Sequence, residues 1–367
     1  MIQYYVLWKK NNPMLIHYLW KYQDLIIQRL EWVIWEEIFQ EIMSHKEYKT
    51  FLFNWDISAI INTLHNLKNN SGYQNEEYKK YEQIFLEELH IFLSGECEKN
   101  IFSLWTKIWN TNIALTTHDK NPYNKFDAHP DHQTTGGILW WWEKSQQEWL
   151  KNYEKTFELL QIVDEGFYDE LNMIINKIVP LWTSYGLHNS ASYTECIGHL
   201  YMWYTVDVDQ PELSNLEAII HESSHNKLNV LFHFDKIILN DLSENYYSPF
   251  RPDARHLKWV FLAIHAFVPT IYVLMKAYQH WYIKSENWLH KMVLYYIKNK
   301  ITWKVLKKYA HFTQMWNEIM DEIQYVMKQT DVIFHSLNID KDVLSDAINQ
   351  QKIHFQNVNQ TYPNFKY

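Results

Sequence analysis

Two histidines and a glutamate near the middle of the chain have the spacing of a metal-binding motif. His221, Glu222 and His225 lie in the sequence His-Glu-Ser-Ser-His. In a helix, side chains four residues apart project from the same side, so both imidazoles can reach one divalent metal ion. Glu222 lies beside them and can act as a base or as a partner that orients a ligand. The pattern predicts a metal site on a helix.

A metal held by two histidines needs a third protein ligand from elsewhere in the chain. His233 is excluded because it lies about 12 Å further along the same helix. Leucines occupy both positions where the extended metalloprotease pattern has glycine and histidine, which excludes that subfamily. Glu244 is one candidate, of the kind that helical zinc peptidases use.

His265 is the sharper candidate for a third ligand. It lies at the centre of an otherwise apolar helix. Pro269, one turn later, cannot donate to the His265 carbonyl and bends the helix, as happens beside functional sites. The alternative is a core histidine that is hydrogen-bonded to a carbonyl group or a tyrosine.

Arginine is rare in this chain, and two of its arginines lie close together. Among 34 Lys and Arg residues, only Arg29, Arg251 and Arg255 are arginines. Arg251 and Arg255 follow the histidine motif and precede the helix of His265. Arginine presents a planar fork that grips a carboxylate through two parallel hydrogen bonds. The pair predicts a carboxylate-bearing substrate or cosubstrate beside the metal; the alternative is a structural ion pair with Asp253 or a glutamate.

Other signals have ordinary structural interpretations. The two histidines of an Ala-His-Pro-Asp-His segment are expected in a solvated loop. Two aspartates before the motif are expected in turns or helix caps, and a tryptophan triplet is expected in the core or in an interface. These residues are His129, His132, Asp207, Asp209 and Trp140 to Trp142.

The pattern of apolar residues predicts a mainly α protein, a multi-helix metalloprotein with a small β element just before the motif helix. Ser214 and Glu217 form an expected helix start for a motif helix over Ser214–Asp241. Glycine, β-branched and aromatic residues in Ser190–Val206 predict one or two strands. The remaining expected helices are Leu15–His45, Glu47–Leu67, Glu76–Leu93, Ile101–Leu115, Ile138–Val163, Gly166–Val179, Leu257–Tyr282, Glu286–Tyr309 and Phe312–Phe334.

A polar stretch, Thr116–Gly137, predicts a linker or a long functional loop. We therefore expect an N-terminal helical bundle over residues 1–135, which could bind substrate or a leader segment, and a metal-site domain over residues 138–335. Residues 336–367 are expected to form a C-terminal tail with a short helix and a loose end.

Composition limits the cellular setting and the partners. The net charge of −9 argues against nucleic acid as a partner. Cys97 and Cys196 provide no disulfide framework, which favours a reducing compartment. The apolar run Trp259–Met275 approaches membrane-spanning length, but His265, Pro269 and Thr270 at its middle indicate a buried helix. We expect a cytoplasmic protein without a membrane partner.

Three ordered motifs resemble a known family. They are the His221–Asn229 segment, the Tyr247–Arg255 segment, and the helix that carries His265, Ala266, Phe267 and Val268. Together they resemble the HExxH-type peptide-modifying proteins that are encoded beside ribosomally made, post-translationally modified peptides. The resemblance covers roughly residues 190–280.

This resemblance implies an iron(II) and 2-oxoglutarate-dependent peptide β-hydroxylase. It implies that His221, His225 and His265 hold Fe(II), and that Arg251 or Arg255 binds the far carboxylate of 2-oxoglutarate. The cosubstrates would be 2-oxoglutarate and O2, and the partner a ribosomally synthesised precursor peptide.

Two other classes of protein share the same residues. A zinc metallopeptidase would use Glu222 to activate water, with Glu244 or His265 as third ligand. A catalytically silent helical protein would bind a peptide in an aromatic cleft and use the metal for structure alone. Imidazole suits iron and zinc equally, so ligand type does not separate them.

Overall fold

The protein is described from a computed structural model, which covers residues 13–46, 48–52, 55–72, 75–94, 106–116, 136–138, 143–183, 190–203 and 209–367. The chain divides into two compact units that are interleaved in sequence. Among the described residues, one unit contains residues 155–170 and 209–367, and the other contains those between 13 and 154 and those between 171 and 203. The expected boundary near residue 135 therefore falls within one unit, and residues 336–367 belong to the same unit as the motif helix.

The described part of the chain is mainly helical and has a small sheet. In chain order the helices are α1 (Pro13–Val33), α2 (Glu36–Ser44), α3 (Tyr48–Leu52), α4 (Trp55–Ser71), α5 (Glu76–Leu93), α6 (Glu143–Val163), α7 (Glu165–Ile174), α8 (Pro211–Phe232), α9 (Leu257–Gln279), α10 (Glu286–Tyr309), α11 (Met315–Ser336) and α12 (Lys341–Thr361). The strands are β1 (Thr106–Lys107), β2 (Ala114–Leu115), β3 (Gly136–Ile138), β4 (Lys177–Thr183), β5 (Ser190–Ala191) and β6 (His199–Trp203).

The unit without the motif helix combines a helical bundle with the sheet. Helix α1 packs on α4, and α4 packs on α5. The sheet order is β1-β2-β4-β6-β5, with β3 paired antiparallel to the far end of β4. Strands β4 and β6 are parallel, which places Lys177 opposite His199. The buried Lys177 ammonium is satisfied by Asp56 of α4, at 2.7 Å.

The expected strands before the motif helix are confirmed as β5 and β6, but the sheet is larger than the sequence indicated. The prediction of a helix over Ile101–Leu115 is wrong, because residues 106–115 contain the antiparallel strands β1 and β2. Asn110 adopts a left-handed backbone (φ 57°), and the Thr111 hydroxyl donates to the Ile108 carbonyl at 2.8 Å. The local hydrogen bond and the left-handed residue form a tight turn, which replaces the regular backbone hydrogen bonds that a helix would need here.

The helix expected over Gly166–Val179 ends earlier, at Ile174, and the chain continues as β4. Pro180 therefore lies inside a strand and does not follow a helix. It falls between the part of β4 that pairs with β2 and the part that pairs with β3. A proline lacks an N–H and is tolerated where the strand ladder is interrupted.

Two long expected helices are each divided. Leu15–His45 separates into α1 and α2, because Trp35 is extended (ψ 143°) between them. Glu47–Leu67 separates into α3 and α4. Of the expected Ile138–Val163 helix, Ile138 belongs to β3 and the helix begins at Glu143. The helices Glu76–Leu93 and Glu286–Tyr309 are confirmed to the residue.

The unit that carries the motif is built around α9, which packs against α8, α10 and α11; α12 packs on α10. Helix α9 is long and apolar enough to cross a membrane by length and composition, but 72% of its apolar window is buried within the protein. This burial is what a core helix requires. The expectation of a short helix and a loose end after residue 336 was wrong, because α12 has 21 residues and the chain beyond it packs back on residues 244–247.

Candidate metal centre

The motif helix α8 begins and ends at different residues from those expected. It begins at Pro211 after Gln210, whose backbone is left-handed (φ 54°) and whose side chain makes no cap. The expected cap of Ser214 and Glu217 is wrong, because both residues lie inside the helix. The helix ends at Phe232 and not at Asp241. The Asp235 carboxylate accepts from the Ile237 N–H at 2.6 Å, in a turn where Ile237 has φ 63°.

Helix α8 buries polar side chains along with apolar ones. The buried polar residues include Glu222, Ser224, Asn226, Lys227 and Asn229. An amphipathic surface helix would expose such residues to water. Buried polar groups need hydrogen-bond partners, so this concentration marks the part of the helix where specific interactions matter. The motif lies at its centre.

The two motif histidines converge through their ε nitrogens. The Nε2 atoms of His221 and His225 lie 3.1 Å apart, and the rings are almost perpendicular. Two ligand nitrogens that each lie about 2.0–2.1 Å from one metal ion are roughly 2.8–3.4 Å apart when the angle between them is between 90° and the tetrahedral angle. The pair therefore fits two adjacent positions of one coordination sphere. Burial lowers the pKa of His225, and the nearby Glu222 carboxylate raises it.

His265 lies near three residues of the same helix, Ser224, His225 and Lys227. It is fully buried, and its ring is hydrogen-bonded to the backbone of Ser224. Burial, the ammonium of Lys227 and the ring of His225 hold the pKa of His265 well below its ordinary value. His265 is therefore neutral. Its contact with a carbonyl group is the alternative that the sequence left open beside the ligand role.

Glu244 is engaged away from the histidines. Its carboxylate accepts hydrogen bonds from the Tyr246 hydroxyl and the Lys366 ammonium. Those bonds hold the pKa of Glu244 below its ordinary value. Across the residues that the structure describes, no three His, Cys, Asp or Glu side chains are grouped as a metal site. The structure thus brings together the two motif histidines, and the roles of Glu244 and His265 as third ligands remain predictions.

Arg251 and Arg255 converge on one carboxylate. The Nε of Arg255 is 2.7 Å from Asp253, and the Nε of Arg251 is 3.6 Å from its other oxygen. This is the ion pair that the sequence offered as the alternative to anion binding. The two guanidinium groups and the one carboxylate carry a net charge of +1. Because both arginines are only partly exposed, at 30% and 18%, that charge lies in a sheltered position.

Aromatic rings connect the arginine segment to the histidine pair. Phe250, next to Arg251, stacks on Phe267 of α9 at 3.9 Å between centroids. Phe267 in turn contacts the ring of His221, at 4.6 Å. Tyr295 of α10 packs against Phe267 at 4.9 Å and donates to Glu217 at 2.7 Å. The arginine segment is therefore two ring contacts from a motif histidine.

Sequence reasoning missed a buried ion pair behind the motif. Lys227, two residues after His225, pairs with Glu170 of α7, and their side chains are only 1% and 2% exposed. Glu322 of α11 is also buried and interacts electrostatically with Lys227. The available signal was a lysine among buried positions of the helix, but its acid partner is remote in sequence.

Several residues considered in the sequence lie outside the described part of the chain. They are Cys97, His129, His132, Trp140 to Trp142 and Asp207. Asp209 is described, and its carbonyl accepts from the indole N–H of Trp288 at 3.1 Å.

Comparison of the sequence with the models of known protein families finds no match, and comparison with curated proteins finds none of significant similarity. The likeness to the HExxH-type peptide-modifying proteins therefore rests on the residues of the three motifs. The geometry of those residues is the basis for assigning a function.

Proposed function

We propose that the protein is an iron(II) and 2-oxoglutarate-dependent dioxygenase that β-hydroxylates a residue of a ribosomally made peptide in the cytoplasm. The observation that carries the proposal is the convergence of His221 and His225, with Nε2 atoms 3.1 Å apart. Bound Fe(II), with 2-oxoglutarate and O2, supplies the oxidation that converts a peptide C–H bond to C–OH and releases succinate and CO2.

The two motif histidines would hold the metal, and His265 is the proposed third ligand. His265 is close enough to His225 for the two rings to interact electrostatically, which supports this choice. To bind a metal, its ring would exchange the hydrogen bond to the Ser224 backbone for the ion. As a neutral imidazole it needs to lose no proton on binding.

The arginine segment would hold the far carboxylate of 2-oxoglutarate. Arg251 and Arg255 lie together around Asp253, so two forked donors suited to a carboxylate are close to one another in this segment. The ring contacts from Phe250 to Phe267 and from Phe267 to His221 support this role, because they connect the segment to a proposed metal ligand. A zinc peptidase has no need of a carboxylate site at this position, which favours the oxygenase.

The experiment is an anaerobic titration of metal-free protein with Fe(II) and then 2-oxoglutarate, followed by visible absorbance. We expect a charge-transfer band that requires both additions. Arg251→Ala and Arg255→Ala should weaken 2-oxoglutarate binding while Fe(II) still binds, and the exposed Lys284→Ala is the matched control for loss of a positive charge. A protein that binds Fe(II) but develops no band with 2-oxoglutarate refutes the proposal.

The third ligand is tested separately by metal content. His221→Ala and His225→Ala should each abolish stoichiometric iron binding, whereas the exposed His280→Ala should not. His265→Ala should lower iron affinity if His265 is a ligand. If His265 is only a core residue, iron affinity stays unchanged and the urea midpoint alone falls.

A zinc metallopeptidase is the second candidate, because burial lowers the pKa of His225 and the Glu222 carboxylate lies close enough to offset part of that effect. A carboxylate in that place can activate a metal-bound water. This candidate expects zinc retention, no response to 2-oxoglutarate, peptide cleavage by the wild type and loss of cleavage in Glu222→Gln. Cleavage of a peptide library by the zinc protein decides between the two.

A further inference from the structure

The chain beyond α12 pairs with the segment that carries the two arginines. The Lys366 N–H donates to the Asn245 carbonyl at 2.9 Å, and the Tyr247 N–H donates to the Lys366 carbonyl at 3.0 Å. The Lys366 ammonium also bonds to Glu244. Residues 362–367, here called the strap, thus add a short parallel bridge beside residues 244–247.

The same segment is closed on its other side by its own backbone. Tyr246 and Arg255 exchange two hydrogen bonds, N–H to carbonyl, at 2.7 and 2.9 Å. This antiparallel bridge makes residues 246–255 a closed loop, which we call the arginine loop. The loop has no regular helix or strand to define it. Its conformation must therefore come from what packs on it.

Tyr247 packs against both α12 and the strap. It is 1% exposed, and its ring contacts Phe355 of α12 and both Phe365 and Tyr367 of the strap, with centroids 5.0, 5.7 and 5.4 Å away. Aromatic pairs at such distances add stabilisation beyond the area they bury. The ring therefore joins the arginine loop to α12 and to the strap.

Hydrogen bonds run from α12 through Tyr247 to the backbone of Arg251. The amide of Gln351 donates to the Tyr247 hydroxyl, and that hydroxyl lies 2.9 Å from Nδ1 of His354. The ring of His354 also bonds to the backbone of Arg251, a contact that raises its pKa and so identifies a carbonyl acceptor. With His354 neutral, each group has one role: Gln351 donates to Tyr247, Tyr247 donates to Nδ1, and Nε2–H donates to Arg251.

We propose that Tyr247 and the strap are positioning elements of the anion site: they hold the arginine loop in the conformation that presents Arg251 and Arg255 to a carboxylate ligand. This inference rests on the proposed function, because it assigns to the arginine loop the binding of 2-oxoglutarate. In this role Tyr247 would contact neither the ligand nor the metal. Its action is on the backbone that carries the arginines.

The first test is hydrogen exchange of peptides that cover residues 244–256, which needs no ligand. Tyr247→Phe removes only the hydroxyl, and Tyr282→Phe is the matched control, because Tyr282 is partly buried and lies outside both the strap and the arginine loop. Tyr247→Phe should accelerate exchange in the arginine loop, and deletion of residues 362–367 should accelerate it further. Exchange in α8 and α9 should not change. An arginine loop that exchanges at the wild-type rate in both variants overturns the proposal.

The second test measures 2-oxoglutarate affinity by the anaerobic absorbance titration. Tyr247→Phe loses both hydrogen bonds of the hydroxyl. We expect it to bind 2-oxoglutarate roughly two- to tenfold more weakly, the factor that the net contribution of one such bond corresponds to, because only part of the loss reaches the ligand. Iron binding should be unchanged. A synthetic peptide with the sequence of residues 361–367, added to the deleted protein, should restore the affinity and slow loop exchange.

The rescue separates positioning from general destabilisation, because an unfolded or weakened core would not recover on addition of the peptide. Lost 2-oxoglutarate affinity that the peptide does not restore, together with reduced iron binding, overturns the proposal. A wild-type protein that binds no 2-oxoglutarate refutes the proposed function instead; the exchange experiment still decides whether the strap holds the loop.

Discussion

Replacing Lys227 with methionine tests whether the buried ion pair holds the motif helix in place. Methionine fills a similar volume but removes the ammonium that pairs with Glu170. Both side chains are almost completely buried, at 1% and 2% exposed, so the remaining carboxylate would have no access to water. Removing one partner of a buried ion pair costs about 3–5 kcal/mol of unfolding free energy. Because Glu322 is also buried and interacts with Lys227, we expect the upper part of that range.

The loss of unfolding free energy in Lys227→Met should depend on pH, and the titration of Glu170 decides whether it grows or shrinks as the pH rises. Burial raises the pKa of Glu170 to about 7, and Lys227 lowers it from what burial alone would give. Without Lys227 the folded-state pKa is higher still, and it exceeds the unfolded value of 4.5. A group with a raised folded pKa contributes stability that is fully present below the unfolded pKa and is lost as pH rises through the folded pKa. The variant should therefore lose about 1.4 kcal/mol per pH unit across that window, up to the folded pKa.

The assay is urea unfolding, followed by tryptophan fluorescence, at pH 5 and pH 8. Lys276→Met is the matched control, because its ion pair with Asp164 is partly exposed, at 26% and 16%. Such a pair contributes about 0–1 kcal/mol. The double variant Lys227→Met with Glu170→Leu should recover most of the loss, since no unpaired charge from this pair remains buried. The reasoning is refuted if Lys227→Met costs no more than the control, or if its cost is equal at both pH values.

Three further predictions concern His354 of α12, Gln210 at the start of α8 and Tyr295 of α10. Burial and the ammonium of Lys298 lower the pKa of His354, so the stability that neutral His354 contributes is present above pH 6.5 and is lost as the pH falls. Between pH 7 and pH 5, the thermal midpoint of the wild type should therefore fall by more than that of His354→Gln. Gln210→Gly relieves a left-handed backbone but removes the side-chain hydrogen bonds of Gln210 to the chain just before α10. We expect a net loss of about 1–3 kcal/mol in unfolding free energy, and a variant that urea unfolding shows to be stabilised would contradict this. Tyr295→Phe removes a 2.7 Å hydrogen bond to Glu217 and should cost about 1–3 kcal/mol while stoichiometric iron binding is retained, which metal analysis of the unfolding samples checks.

Much of the helical framework could be predicted from the sequence, because helical periodicity is a local property. The bounds of α5 and α10 agree with the expected ranges to the residue, and α9 differs only at its end. The same reasoning failed between residues 101 and 115 and again after Ile174. Short strands of two to seven residues are stabilised by partners elsewhere in the sheet, and a single apolar run does not reveal whether such partners exist.

For the candidate site, the sequence by itself determined the histidine pair. A spacing of four residues on a helix places two imidazoles on the same face, and the side-chain rotamers then bring their Nε2 atoms to 3.1 Å. The choice of arginine at positions 251 and 255 was also visible as composition, and so was the alternative of an ion pair with Asp253.

Tertiary structure alone decided how the environment of that pair is built. The contact of His265 with the Ser224 backbone, the burial of Lys227 against Glu170, and the packing of residues 362–367 on the arginine loop all join residues far apart in sequence. Nothing in the local sequence favours one such pairing over another, because each depends on which helix faces meet. The physical reason is that spacing along one helix fixes relative direction, whereas burial and partner choice arise only when the whole core is assembled.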